Sequence, residues 1–221
     1  HVRSRRQRQM CIRDRTSIHE ESILRCGMAW VNLSRWVSHL EKNGELMTIS
    51  EPVDVELEAG AIADKLVKTN GPAVLFEKPR LPNGEISEIP LAMNLFGSHD
   101  RTLRALGAAH SKEVGERLVA LMKPDIGGIV KKPWTGLPLL RDAISMPPKK
   151  VRKGSCQRVV METDVTKLPI PKTWPMDGGR YITLPLVVTK DPKSGEHNLG
   201  MYRGQVFGPK EVGLHLSLIH I

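Results

Sequence analysis

Residues 181–205 read YITLPLVVTKDPKSGEHNLGMYRGQ, and this stretch constrains the fold more than any other part of the chain. An apolar, β-branched run over 182–189 has the composition of a strand. Lys190-Asp191-Pro192 opens a turn through DPKSG, and the chain resumes as an extended return segment carrying Asn198 and Arg203. Strand, tight Gly- and Pro-containing loop and polar return strand predict an antiparallel hairpin.

The return segment holds the residues that bear on chemistry. The side-chain oxygen of Asn198 is a neutral, hard ligand suited to a divalent cation or potassium. The other reading is a turn residue bonding its own backbone, which Asn does often beside hairpins. Arg203 lies in the stretch LGMYRG, where a guanidinium can bind a carboxylate or phosphate through two parallel hydrogen bonds. An edge-strand arginine pointing to water fits the same pattern. Gly200 and Gly204 leave room for a flat ring or a phosphate to approach the backbone, or mark bulges. Asn198 and Arg203 are an odd number of positions apart, so a straight strand points them to opposite faces. Both can address one ligand only if Asn198 still belongs to the turn or a bulge intervenes near Gly200. His215 is either a third contact or a structural histidine.

Several function classes are excluded or weakened. The eight histidines show no HxH or HExxH spacing, and no Walker loop, GxGxxG or GxSxG occurs. Cys11, Cys26 and Cys156 are scattered without CxxC spacing, which argues against a disulfide framework or zinc site and for a reducing, cytoplasmic compartment. No apolar run approaches the ~20 residues of a membrane span. The formal charge is +9, but six Arg and one Asp in the first fifteen residues supply +5 of it. The remaining +4 is interleaved with acidic residues, an ordinary surface and not a footprint for nucleic acid. The two ends, HVRSRRQRQMCIRDR and LSLIHI, resemble translated sequencing-adaptor DNA, so 1–15 and 216–221 are expected to lie outside the native fold. A basic nucleic-acid arm is the alternative for the first of them.

Upstream of the hairpin the periodicity alternates. Leu33, Trp36, Val37 and Leu40 recur at helical spacing, with Asn32 able to cap the start and Gly44 the end. A short strand over 45–49, a helix over 57–68 stopped by Asn70-Gly71-Pro72, and strands over 73–76 and 91–95 follow. A short helix ends near 106, and another covers 112–122. From Lys123 to Lys153 Pro, Gly and Lys crowd together, with a short helix expected near 137–144, and a domain boundary is placed there. Beyond it the pattern is mainly β, over 156–161, 182–189, 198–207 and 212–215, at intervals suiting a small barrel or sandwich.

The segment LPLVVTKDPKSGEHNLGMYRGQVFG, ending in VGLH, resembles the UbiD family of prenylated-flavin-dependent decarboxylases, which includes 3-octaprenyl-4-hydroxybenzoate carboxy-lyase and menaquinone-pathway decarboxylases. The resemblance runs back through VTKLPIPKTWPMDGG, MPPKKVRKGSCQ and GPAVLFEKP to LSRWVSHLEKNGEL. Its most specific element is NxGxYRxQ after a TKDPxxG hairpin; Pro185, where some members carry Gly, favours the LPLV branch. The resemblance implies Asn198 as ligand to a divalent metal, usually manganese, with potassium as a further cation. It implies Met201, Tyr202 and Arg203 lining prenylated FMN, Arg203 also holding the substrate carboxylate, and His215 contacting the cofactor. The family's second metal-ligand Glu and its acid/base carboxylates would lie downstream.

The resulting expectation is an α/β chain: an N-terminal α/β domain over 16–123, a linker over 124–153, and over 154–215 the first strands of an incomplete split β-barrel that binds prenylated flavin. The parent would be a carboxy-lyase that reversibly removes carbon dioxide from an aromatic or α,β-unsaturated acid, in quinone biosynthesis. It would depend on a flavin prenyltransferase for its cofactor and assemble as a homo-oligomer. This N-terminal fragment would itself be inactive. A flavin-binding or flavin-reductase split barrel without decarboxylase chemistry is the alternative.

Overall fold

A computed structural model of the chain describes residues 30, 32–122, 151–154 and 157–215, together with Leu137, Leu140 and Ile144. The elements are mixed α and β. Helix α1 (Leu33–Lys42) has the bounds the periodicity predicts. Asn32 Oδ1 accepts from the Arg35 amide at 3.0 Å, and Gly44 takes a positive φ of 69° just past the end.

The described residues divide into two compact units. The first holds α1 as far as Ser38 with α3 (His99–Ala105) and α4 (Ser111–Met122). There Trp36 is buried against Trp30, with ring centroids 5.2 Å apart, and Trp30 Nε1 donates to the Arg104 carbonyl at 3.2 Å.

The second unit carries the sheets. Strand β1 (Leu46–Asp54), helix α2 (Glu58–Lys68) and strand β2 (Ala73–Arg80) form a β-α-β unit with β1 and β2 parallel, and β3 (Leu91–Met93) pairs antiparallel on the far side of β2. Val53, Ala59, Val74 and Phe76 form its buried core, with Ile49, Ile62, Leu66, Leu91 and Met93 against it. Burial of side chains the size of Val53, Val74 and Phe76 contributes roughly 1.5–3 kcal/mol each. Helix α2 presents Ala59, Gly60 and Ala63 inward, and their small size lets neighbouring backbone approach.

That approach links the first sheet to the second half of the unit. The Leu57 amide donates to the Lys172 carbonyl (2.8 Å), and the Lys172 amide donates to the Val55 carbonyl (3.1 Å). A Cβ on Gly60 would sit 2.8 Å from the Thr173 carbonyl oxygen. One residue earlier, the Pro171 carbonyl accepts from the Tyr181 amide at 3.0 Å. Segment 170–173 therefore fixes where β4 begins.

Beyond it, β4 (Tyr181–Ile182), β7 (Gly204–Gly208) and β8 (Glu211–Leu214) make one antiparallel sheet in the order β4-β7-β8. Strands β5 (Leu186–Lys190) and β6 (His197–Met201) make a separate hairpin. No closed barrel forms among the described residues. A short 3-10 turn, Val165–Lys167, is tied to the β7–β8 turn by the Val165 amide donating to the Pro209 carbonyl at 2.9 Å.

Three strand expectations are corrected. The strand expected over 156–161 is absent among its described residues; Val159 and Val160 are 75% and 90% exposed, and no neighbouring edge pairs with them. The run 182–189 breaks at Thr183-Leu184-Pro185, where proline lacks an amide donor for a ladder. The run 198–207 breaks at Tyr202-Arg203, because its two halves pair with different strands. Cys11, Cys26, Cys156 and the two ends lie outside the described residues, as does the helix expected near 137–144 apart from its helical positions 137, 140 and 144.

Candidate functional site

The β5–β6 hairpin forms as its sequence requires, with Thr189 opposite Asn198 and Val187 opposite Gly200 in an unbroken register. Its turn is built by Asp191. One carboxylate oxygen accepts from the amides of Lys193 (2.6 Å) and Ser194 (3.0 Å), and the Asp191 carbonyl accepts from the Gly195 amide at 2.9 Å. Those amides hold the carboxyl below its ordinary value. Gly195, at φ 76°, closes the turn.

Asn198 is thus a strand residue, and no bulge displaces Gly200. The ladder simply ends at Met201, and Tyr202 and Arg203 form a two-residue join into β7. The Tyr202 ring folds back so closely that a Cβ on Gly200 would fall within it, and its hydroxyl lies 3.5 Å from Asn198 Nδ2. Met201 stands exposed on the other face of the hairpin, opposite Leu186.

Past the join a second cluster takes shape. Arg203, Gln205 and Phe207 alternate along the chain, and Tyr181, Gln205 and Gly213 form one row across β4, β7 and β8. With Leu214 and His215 these residues line an open groove of about 650 Å³. The Arg203 guanidinium lies over the Tyr181 ring, 5.2 Å from its centroid. The Arg203 carbonyl accepts from the His215 amide at 3.5 Å, which brings the two cationic-capable residues to one end. Gln205 Nε2 donates to the Gly178 carbonyl at 3.1 Å, holding the Gly178-Gly179 loop against the groove. The Phe207 ring lies across Gly213, where any Cβ would collide with it. No carboxylate pairs with Arg203 among the described residues, so its N–H donors have no ionic partner there.

The structure therefore brings Arg203 and His215 together and leaves Asn198, Met201 and Tyr202 outside the groove. Tyr181, Gln205 and Phe207 belong to it and were not singled out from sequence, although period-2 alternation counted from Arg203 marks Gln205 and Phe207. A guanidinium, a histidine and two aromatic rings along an open groove can take a planar anionic ligand. A metal centre does not fit the described residues alone: Asn198 offers one neutral oxygen, and no group of three His, Cys, Asp or Glu converges among them.

Two family profiles match the chain: the 3-octaprenyl-4-hydroxybenzoate carboxy-lyase N-terminal domain over residues 37–122, and the Rift-related domain of the same enzyme over 149–221. An uncharacterised protein of Archaeoglobus fulgidus is 41% identical over 191 residues, covering 86% of this chain and 38% of its own length. Among solved structures, an evolved dimeric form of the UbiD-class enzyme HmfF from Pelotomaculum thermopropionicum, in complex with prFMN, superposes with a TM-score of 0.61 at 23% identity, over 84% of this chain and 38% of that one. The closed form of Sedimentibacter hydroxybenzoicus vanillic acid decarboxylase gives a TM-score of 0.64 at 25% identity, over 84% and 37%. The chain thus spans less than two-fifths of the length of these relatives. No helix among the described residues is long and apolar enough to cross a membrane.

Proposed function

The chain belongs to the UbiD family, and from that premise we propose that it contributes part of the cofactor site of a prenylated-FMN-dependent decarboxylase acting on an aromatic or α,β-unsaturated acid, in quinone biosynthesis. The observation that carries this is the groove, where Arg203 and His215 come together at one end, with Tyr181 under Arg203 and Phe207 farther along. Support for the cofactor and the reaction class comes from the HmfF complex with prFMN and the vanillic acid decarboxylase, both of the same fold.

The residues divide the work by their chemistry. Arg203 orients a carboxylate through paired N–H donors. His215 contacts the flavin at the end of β8, and Met201, at the end of β6, and Tyr202, in the join, line the flavin only once they move in from outside the groove. A modified flavin, when bound, supplies the electron sink that no side chain offers. Asn198 gives one oxygen to a divalent metal, manganese by preference, whose other ligands come from outside the described residues. A flavin prenyltransferase furnishes the cofactor, and the active assembly is a homo-oligomer. In this reading residues 154–215 are the opening strands of a split barrel, joined through 124–153 to an α/β domain over 16–123.

Alone, the chain binds flavin weakly and releases no carbon dioxide, because among the described residues the sheets keep unpaired edges and no three-ligand metal group forms. The test is titration of FMN into the chain, followed by flavin fluorescence, with carbon dioxide release measured in parallel. Weak binding that falls further in Arg203→Gln and His215→Ala agrees with the reading. Affinity indifferent to both substitutions would sink the groove as the flavin site. Stoichiometric cofactor binding with decarboxylation by these residues alone would overturn the partial-site reading.

A further inference from the structure

We propose that Tyr181 is a positioning residue for Arg203, its ring holding the guanidinium over the groove so that the in-plane donors stay free for a carboxylate; this rests on the carboxylate role proposed for Arg203 above. Arg203 is exposed, sits in a join between strands and has no carboxylate partner among the described residues, so nothing ionic fixes its side chain. A long cation in that setting samples many rotamers, and ordering it when a ligand arrives costs affinity. The Tyr181 ring answers that need. The guanidinium carbon lies over it at 5.2 Å, within the range of a cation–π contact, and a guanidinium that stacks there uses its face and leaves its N–H edge free.

The Tyr181 backbone is itself held at two points. Its amide donates to the Pro171 carbonyl at 3.0 Å, and it pairs across the ladder with Gln205. A Cβ on Gly178 would lie 3.4 Å from the Tyr181 hydroxyl and 3.2 Å from Gln205 Nε2, so that glycine makes room for both side chains. An aromatic on an anchored backbone beneath an otherwise loose arginine is the arrangement expected of a preorganised anion contact. A lysine at 203 could neither stack nor fork in this way.

The test uses the full chain, with Arg203 side-chain proton shifts and benzoate titrations read by NMR. The wild type and Tyr181→Phe should show the Arg203 δ-methylene protons moved upfield by the ring current, and Tyr181→Leu should return them to ordinary values. Benzoate binding should weaken about two- to fivefold in Tyr181→Leu and recover in Tyr181→Phe, the range expected of an exposed cation–π contact. The wild-type shift needs no variant, so it decides the contact even if Tyr181→Leu folds poorly. Unshifted Arg203 protons in the wild type overturn the proposal. Benzoate binding lost in Arg203→Gln but unchanged in Tyr181→Leu overturns the positioning role alone. Benzoate binding that survives Arg203→Gln overturns the carboxylate role of Arg203, and the positioning role with it.

Discussion

Asn198 and Arg203 belong to different strand systems: Asn198 pairs with Thr189 inside the β5–β6 hairpin, whereas Arg203 stands in the join to β7 with its guanidinium over Tyr181. Only Arg203 lines the groove. Binding of a small anion to this chain should therefore depend on one and not the other. Arg203→Gln removes charge-assisted hydrogen bonds of about 1.5–3 kcal/mol, so benzoate or FMN affinity should fall roughly tenfold or more. Asn198→Ala should change it less than about twofold, since surface changes away from a contact stay within ~0.5 kcal/mol. Equal losses in the two variants, measured by titration, would mean that they share a single site.

Gly200 controls where the Tyr202 ring rests. A methyl group there would occupy the ring's place, and the obstacle is the outer end of a side chain that can swing away. Gly200→Ala should leave the hairpin register intact, because β6 is regular at that position. It should displace the Tyr202 hydroxyl from Asn198, seen as loss of cross-relaxation between the Tyr202 ring and Gly200 or Asn198 protons. A Tyr202 ring that keeps its Asn198 neighbour in Gly200→Ala would refute the packing described.

The legible parts of this fold are those fixed by neighbours in sequence. Asn32 and Gly44 bound α1, and Asp191 with Gly195 sets the hairpin turn, because capping and turn chemistry act over a few residues. The break at Tyr202-Arg203 was not legible: LGMYRGQVF carries strand propensity throughout, and the strand divides only because β6 finds β5 while β7 finds β4 and β8. The same holds for β1, which extends to Asp54 past Pro52 because β2 offers partners as far as Arg80. Leu57 takes φ 67° and ψ −45°, a γ-turn no local signal announces, closed by the Glu58 amide on the Glu56 carbonyl where the Leu57 amide meets the Lys172 carbonyl. Of the groove, Arg203 was found because its chemistry is distinctive. Tyr181 and Phe207 were missed because an aromatic in a strand reads first as core.

The clasp between α2 and segment 170–173 rests on Gly60. A Cβ would stand 2.8 Å from the Thr173 carbonyl oxygen and 3.0 Å from its Cα, and both are backbone atoms that cannot turn aside. In a helix interior Ala is favoured over Gly by about 1 kcal/mol, so propensity alone makes Gly60→Ala stabilising. Overpacking typically costs ~1–3 kcal/mol and should win here. Chemical denaturation of Gly60→Ala should show a lower midpoint than wild type, with amide shifts concentrated at 170–173 and at Tyr181. A higher midpoint would mean that the clasp yields without cost.

The hairpin turn should respond to acid through Asp191. The amides of Ser194 and Lys193 hold its carboxyl below the ordinary value of 3.8. A carboxyl whose folded-state pKa is depressed stabilises the fold fully above its unfolded value, and the contribution is lost as pH falls through the folded one. The Lys193 and Ser194 amide resonances should therefore stay constant from neutral pH down to about 4 and shift only below it, with faster exchange as the turn loosens. In Asp191→Ala the same amides should lose their protection relative to intrinsic exchange at neutral pH already, while β5–β6 pairing farther from the turn is less affected. Asp164, lowered chiefly by the Thr166 hydroxyl and opposed by some desolvation, serves as an internal reference of the same sign elsewhere in the fold. A midpoint for the Lys193 and Ser194 amides at or above the ordinary carboxylate value would remove Asp191 from its place in the turn.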